Sequence, residues 1–399
     1  METESLVLLP SEEQSLRLSN LRRLMGESGI SAALLGGNAN LYYLTGRVYS
    51  GFIYLPVSGQ EVYFVKRPVH LTGERVAQIR KPEDIPSRLR ELCPGAEIPR
   101  RVAFELSVLS YSAVERLSKA LGSVEIDDIS FAINEARSRK TQYELNKLRI
   151  SGLKQEHVYR RIPKIFTPGM TDVSLQIEIE RLLRLEGCLG QFRVAGNDME
   201  LYMGNVLVGE NADAPSPYDF AMGGAGCDPS LPVGASGVAI DEGKSVMVDM
   251  NGNFTGYMTD MTRTFSRGKL SGQAMKAHRL SIDICRELAH MGVPGAEAKS
   301  LYHRAAEMAA DAGMEAFFMG HRQHAGFVGH GVGIEVNEWP VISPRSPHIL
   351  AEGNVIALEP KFVIPGVGAV GIENTYVVNA SGDMETITRA PQDIIELYF

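Results

Sequence analysis

Apolar positions recur at helical spacing over residues 13–29, where Leu16, Leu18, Leu21 and Leu24 predict an amphipathic helix. ISAALLGG (30–37) then reads as a buried strand and NANLYYLTG (38–46) as a loop or short helix. GFIYLPV and EVYFVK are short apolar runs split by Ser58-Gly59, a hairpin signal, and VAFEL (102–106) is a further strand. This alternation predicts a small α/β domain ending near Ser130. From Arg139 the texture changes. KTQYELNKLRISGLKQEHVYRRIPKIF (140–166) reads as one long helix. Pro168-Gly169 follows, with Thr171 as N-cap of the helix DVSLQIEIERLLRLEG. The same order returns downstream: GQAMKAHRLSIDICRELAHM, then Pro294-Gly295, then AEAKSLYHRAAEMAADAG. The blocks Pro168–Gly187 and Pro294–Gly313 are offset by 126 positions with few identities, a repeat of organisation. It predicts two related α/β units around a pseudo-two-fold axis. Between them lies a glycine-rich stretch, AMGGAGCDPSLPVGASG (221–237), of the kind that lines sites. The stretch 355–378 is strand-rich.

At 399 residues the chain is too long for one ordinary core, so two domains are expected, 1–135 and 136–399. A formal net charge of -8 argues against nucleic acid or an anionic membrane as partner. No apolar run reaches the ~18 residues of a membrane span. METESLVLLPSEEQS carries no signal-peptide pattern, and the four cysteines are scattered with no CxxC pair. A reducing cytoplasm is therefore the expected location.

Candidate chemistry begins with two carboxylates in apolar strand runs. Asp249 and Asp260 stand in VMVDMNGNFTGYMTDMTRTF, eleven positions apart. Carboxylates are almost never fully buried without a partner. If Asn251-Gly252 formed a tight turn, the two would lie about 20 Å apart, six residues at ~3.3 Å each. A turn centred on Phe254-Thr255 places Asp249 directly opposite Asp260 on one face, and only that register builds a metal site. Farther on, Pro365-Gly366 marks a turn centred near Gly366, with Glu359 and Glu373 seven residues to either side and facing each other. His330 in FVGHGVG, flanked by glycines, is the fifth candidate. These five residues carry a formal charge of -4, which two divalent cations would cancel. Oxygen-rich donors with one imidazole suit Mn²⁺ or Fe²⁺, and Co²⁺ or Zn²⁺ less decisively.

The order D-x10-D, GHGxG, EP and a final strand Glu resembles the creatinase, prolidase and methionine-aminopeptidase superfamily with its pita-bread fold. NLYYLTG (40–46) is similar to the creatinase/prolidase N-terminal domain, and GYMTDMTRTF matches the most specific catalytic motif. The resemblance implies an α/β (α+β) architecture and metal ligands Asp249, Asp260, His330, Glu359 and Glu373, with Asp260 and Glu373 bridging two ions. It implies hydrolysis of small Xaa-Pro peptides by metal-activated water, with Glu359 taking a proton and His330 in the catalytic set. It also implies a homodimer. Several expected side chains are missing. Histidines expected seven residues after and four residues before His330 are Asn337 and Gly326, a loop histidine is absent near Pro232, and an expected arginine is Gly371. His324 and Asn337 are then the candidates for substrate contact, with His321 and Lys361 as other substitutes. The missing groups keep two alternatives open: a lyase or C–N hydrolase on the same scaffold, and a non-catalytic binding relative.

Overall fold

The computed structural model describes residues 3–196 and 199–397. The chain divides into two compact units, Met1–Arg137 and Ser138–Phe399. The first is built on a six-stranded mixed sheet in the order Val76–Gln78, Val62–Arg67, Ser50–Pro56, Ala32–Leu35, Arg101–Phe104 and Glu125–Asp128. The hairpin signalled by Ser58-Gly59 is present, with Tyr54 opposite Val62. NANLYYLT is helical, Asn38–Thr45, and Gly46 at φ 75° caps it in the left-handed region. The edge strand Glu125–Asp128, EIDD, has no apolar run to announce it.

In the second unit, helix Gln142–Tyr159 starts in a capping box. The Thr141 hydroxyl accepts from Glu144 N (3.3 Å), and the Glu144 carboxylate accepts from Thr141 N (3.0 Å). The helix expected to reach Phe166 stops at Tyr159. Pro163 cannot donate to the carbonyl of residue 159 and clashes with it, so the chain continues as a short 3₁₀ turn, Ile162–Lys164. The repeat survives at the level of elements. Helices Asp172–Leu185 and Ala298–Asp311 have 14 residues each and keep the offset of 126 at both ends. Among the described residues no helix is long and apolar enough to cross a membrane.

Two antiparallel hairpins position the carboxylates. The first pairs Ser245–Asn253 with Met258–Ser266, between the edge strands Gly204–Val208 and Ile395–Glu396. Its register corrects the expected one. Asp249 lies opposite Thr262 and Asp260 opposite Asn251, so the two aspartates are diagonal neighbours. The slip moves each partner by two residues, and a two-residue slip keeps the face. Asp249, Asn251, Asp260 and Thr262 therefore still share one side. On the other side Val246, Val248, Met250, Met261 and Phe265 pack on Leu175, Ile179 and Val158. The Asn251-Gly252 pair makes no turn. A Cβ at 252 would lie 2.7 Å from Thr259 Oγ1 and 2.9 Å from Gln155 Oε1, so close packing excludes a side chain there. The turn uses Gly256 at φ 83°.

The second hairpin follows its expected register throughout. Val355–Leu358 pairs with Asn374–Val377, and Lys361–Ile364 with Gly368–Gly371, on one continuous alignment. The two halves belong to different sheets. Glu359 and Glu373 stand at the crossing between them, and the helices Gly272–Met291 and Ala298–Asp311 cover Ile356, Leu358, Phe362 and Val370.

Tyr159 ties the long helix to the first hairpin. Its hydroxyl accepts from Met250 N (3.0 Å) and donates to the Met261 carbonyl, bridging two residues that face each other in the ladder. Tyr159→Phe strands both buried backbone groups and should cost about 1–3 kcal/mol, read as a lowered urea midpoint.

His278 gives the fold a pH dependence. Its Nε2 is 2.7 Å from the Gln392 carbonyl, and its Nδ1 is buried with no hydrogen-bond partner among the described residues. Burial lowers its pKa below 6.5, so the unfolded chain takes the proton first. Stability present above about pH 6.5 should therefore fall as the pH drops below that value. His278→Gln should flatten this part of the unfolding-midpoint profile between pH 7 and 5.5.

Candidate metal centre

The five expected donors converge. One ligand atom each from Asp260, His330 and Glu373 lies within 4.8 Å of the others, and the same holds for Asp249, Glu359 and Glu373. Asp260, Glu359 and Glu373 are buried, while Asp249 and His330 are half-buried. Two aspartates come from the first hairpin and two glutamates from the crossing in the second. His330 lies on Gly329–Gly331, where Cβ atoms at either flanking glycine would strike backbone within 2.4 Å. Its glycines are thus explained by close strand packing.

The surroundings fix these donors. His330 Nδ1 is 3.1 Å from the Gly331 carbonyl, which can only accept, so Nδ1 carries the hydrogen and Nε2 faces the cluster, 3.3 Å from Glu359 Oε1. Thr262 donates to Glu373 Oε2 (2.7 Å), and Thr375 holds both the N–H and the carbonyl of Asp260. Arg263, fully buried, donates to the Glu373 carbonyl (2.8 Å) and to the Asn374 side chain (2.7 Å). None of these supporting residues is marked by the sequence pattern beyond the motif GYMTDMTRTF itself.

Lys361, expected as a substitute for the missing substrate contacts, lies within the carboxylate cluster and not in the cavity wall. Its Nζ lies 2.8 Å from Asp249 Oδ2, 2.7 Å from Glu359 Oε2 and 3.2 Å from Glu373 Oε2, and its side chain is 0% exposed. Each of the three ammonium hydrogens thereby has one carboxylate acceptor. Among sequence signals, a lysine two residues after Glu359, in the apolar run EPKFVI, lies on the glutamate's own strand face. Across the hairpin it pairs with Gly371, the place where the resemblance called for an arginine. A side chain has no room at 371: φ is 140°, and a Cβ would lie 2.8 Å from the Pro360 carbonyl.

One ammonium does not neutralise four carboxylates. Burial, and then the Asp249 charge, pushes the Asp260 carboxyl up to about 7. Glu373 is raised as well, by burial and then by Asp260. Burial opposes ionisation of Glu359, yet Lys361 and His330 outweigh it and bring that group down to about 2. His330 is driven up to about 9; burial works against this, and Glu359 and Asp260 overcome it. The unmet negative charge lies on the Asp260–Glu373 side. There Glu373 Oε1 is buried with no partner among the described residues, as is Asn251 Oδ1. A carboxylate oxygen left bare beside an imidazole nitrogen fits a divalent cation.

This cluster is the floor of a cavity of about 260 Å³ with apolar walls that include Leu201, Phe220, Met222, Phe327 and Val341. Asn337 also lines it, but its amide is engaged. Oδ1 accepts from Ala195 N (2.7 Å) and Nδ2 donates to the Ala195 carbonyl (3.1 Å), which ties the side chain to the backbone at Ala195. His324, expected to contact substrate, is not in the cavity wall. It is exposed, and its Nδ1 is 2.9 Å from the Phe318 carbonyl. His321 likewise faces Asp213 (3.0 Å). Trp339 packs on His348, ring centroids 4.8 Å apart, outside the cavity.

Residues 146–380 match metallopeptidase family M24, and residues 17–139 match the creatinase/prolidase N-terminal domain. The chain belongs to metallopeptidase family M24, within the creatinase/prolidase superfamily and its pita-bread fold. It is 28% identical to an uncharacterised peptidase, YqhT, of Bacillus subtilis, over 96% of this chain and all of that one. Similarity also extends to an Xaa-Pro dipeptidase of Pyrococcus horikoshii, 24% identical over 95% and 98% of the two chains. Among solved structures, an Xaa-Pro dipeptidase from Bacillus anthracis superposes with a TM-score of 0.79 at 21% identity, over 96% of this chain and 100% of that one. The prolidase from Pyrococcus horikoshii OT3 gives 0.76 at 21%, over 95% and 100%. The family implies divalent metal ions and peptide substrates.

Proposed function

We propose that this metallopeptidase cleaves small peptides with proline in the second position, using a divalent first-row cation held by Asp260, His330 and Glu373, with Mn²⁺ the best match to the donors. The observation that carries this reading is the convergence of four carboxylates and one imidazole on the floor of a small, mostly apolar cavity. The relatives named Xaa-Pro dipeptidase support the substrate class. When bound, such a cation lowers the pKa of water and polarises a carbonyl. The chain supplies the rest. Glu359 Oε1 faces His330 and the cavity, where it can take a proton from the attacking water. Asn251 Oδ1 offers a free acceptor for a substrate amine.

One observation favours a second reading, a small non-peptide substrate. The positions from which the family's histidines and arginine would reach a peptide hold Gly326, Gly371 and an Asn337 already engaged with Ala195. The test is a screen of Mn²⁺-loaded protein against Xaa-Pro dipeptides, longer Xaa-Pro peptides and proline-free dipeptides, read by release of free amine. Turnover confined to proline peptides is expected. Failure with every proline peptide would reject the substrate class and leave the fold assignment standing.

A further inference from the structure

The cluster contains two cation positions that share Glu373, and the atoms divide cleanly between them. Asp249 Oδ2, Glu359 Oε2 and Glu373 Oε2 surround Lys361 Nζ at 2.7–3.2 Å. Asp260, His330 Nε2, Glu359 Oε1 and Glu373 Oε1 remain on the other side, and Glu373 Oε1 is buried and unpartnered. We propose that Lys361 is a resident cation that fills the first position permanently, so that this centre takes one divalent ion, at Asp260–His330–Glu373. This rests on the metal-dependent reading above and sharpens it, replacing the two ions suggested by the charge of -4 with one ion and one ammonium.

Three features argue for permanence. The ammonium is saturated, with one carboxylate for each of its hydrogens. Its stem enters from behind the carboxylates, through the hairpin rather than the cavity: Lys361 is wholly buried, and the cavity wall does not include it. Its backbone is fixed by pairing with Gly371, and Met319 N donates to its carbonyl (2.8 Å). An ion entering the Asp249 position would have to share the same three oxygens with a positive charge at hydrogen-bond distance, where like charges repel strongly in a buried site. The nitrogen at the other position, His330 Nε2, is itself a metal donor.

The test counts ions. Full-length protein is freed of metal, titrated with Mn²⁺, desalted and assayed by mass spectrometry for ions per chain. Wild type should hold one ion per chain. Lys361→Met, which keeps the stem volume without the charge, should hold two, and Lys361→Arg should hold one. Electron paramagnetic resonance gives an independent readout on wild type alone, where isolated Mn²⁺ is expected in place of a spin-coupled pair. It keeps the proposal testable if Lys361→Met fails to fold. Two coupled ions in wild type would overturn the proposal and leave the metallopeptidase reading intact, and so would a single ion in folded Lys361→Met. No bound ion in wild type would overturn both.

Discussion

Asp260→Ala should abolish metal binding and peptide turnover together. Asp260 is one of three donors on the side of the cluster with unmet charge, and the cluster's remaining carboxylates, Asp249 and Glu359, are held by Lys361. Glu359 is divided between Lys361 and His330, and Asp249 is drawn to Lys361. Metal-assisted attack on a carbonyl is worth several kcal/mol of transition-state stabilisation, and each ~1.4 kcal/mol is tenfold in rate. The expected loss in kcat/KM is therefore on the order of 10³-fold or more. Bound Mn²⁺ should fall in parallel. The fold should persist, because Asp260 sits on the inner face of the hairpin while the packing against the helices runs through Met261 and Phe265. Retained turnover in Asp260→Ala with unchanged metal content would show that the cation sits elsewhere.

The largest stability effect should come from Arg263→Met. The guanidinium is fully buried, and burial lowers its pKa to about 10. It donates to the carbonyls of Thr262, Glu373, Ala390 and Pro391 and to the Asn374 side chain. Methionine roughly keeps the volume and removes a donor from all five; the Thr262 carbonyl and the Asn374 side chain keep one each, from Glu373 N and Thr388 Oγ1, while the carbonyls of Glu373, Ala390 and Pro391 lose theirs. Each buried acceptor left without a partner costs about 1–3 kcal/mol, so a loss of several kcal/mol is expected. The unfolding midpoint in urea should drop accordingly, and the C-terminal residues 390–397 should become the first site of proteolysis. A loss below 1 kcal/mol would mean that the segment is held by its other contacts, His278 and the strand pair at Phe265–Ser266.

Much of this was legible in the residues, for reasons that can be stated. Turn chemistry located the second hairpin, and the need to bring two buried aspartates onto one face located the first. The second register followed directly, because Pro365-Gly366 and Gly368 mark one turn midway between its glutamates. In the first, two signals competed. Asn251-Gly252 pointed to a turn, yet Gly252 is there to admit Gln155, and the functional turn glycine is Gly256. Parity rescued the reading, since a two-residue error leaves every side chain on its face. What stayed hidden depends on tertiary contact. Nothing local says that Asn337 spends its amide on Ala195, or that His324 turns away to Phe318. Lys361 was visible as a lysine in an apolar run, but its three partners come from two hairpins.

The buried ammonium also bears on how the chain comes to be folded at all. Four carboxylates brought together in a dry interior would ordinarily make the finished structure dependent on metal during its assembly, as in small metal-nucleated domains. Here the chain carries one permanent countercharge within the hairpin that delivers two of those carboxylates. The second unit can close around Lys361 during synthesis, whatever the supply of free metal. Metal shortage would then leave a stock of intact, idle protein, and renewed supply would restore activity at the speed of ion binding, with no new synthesis.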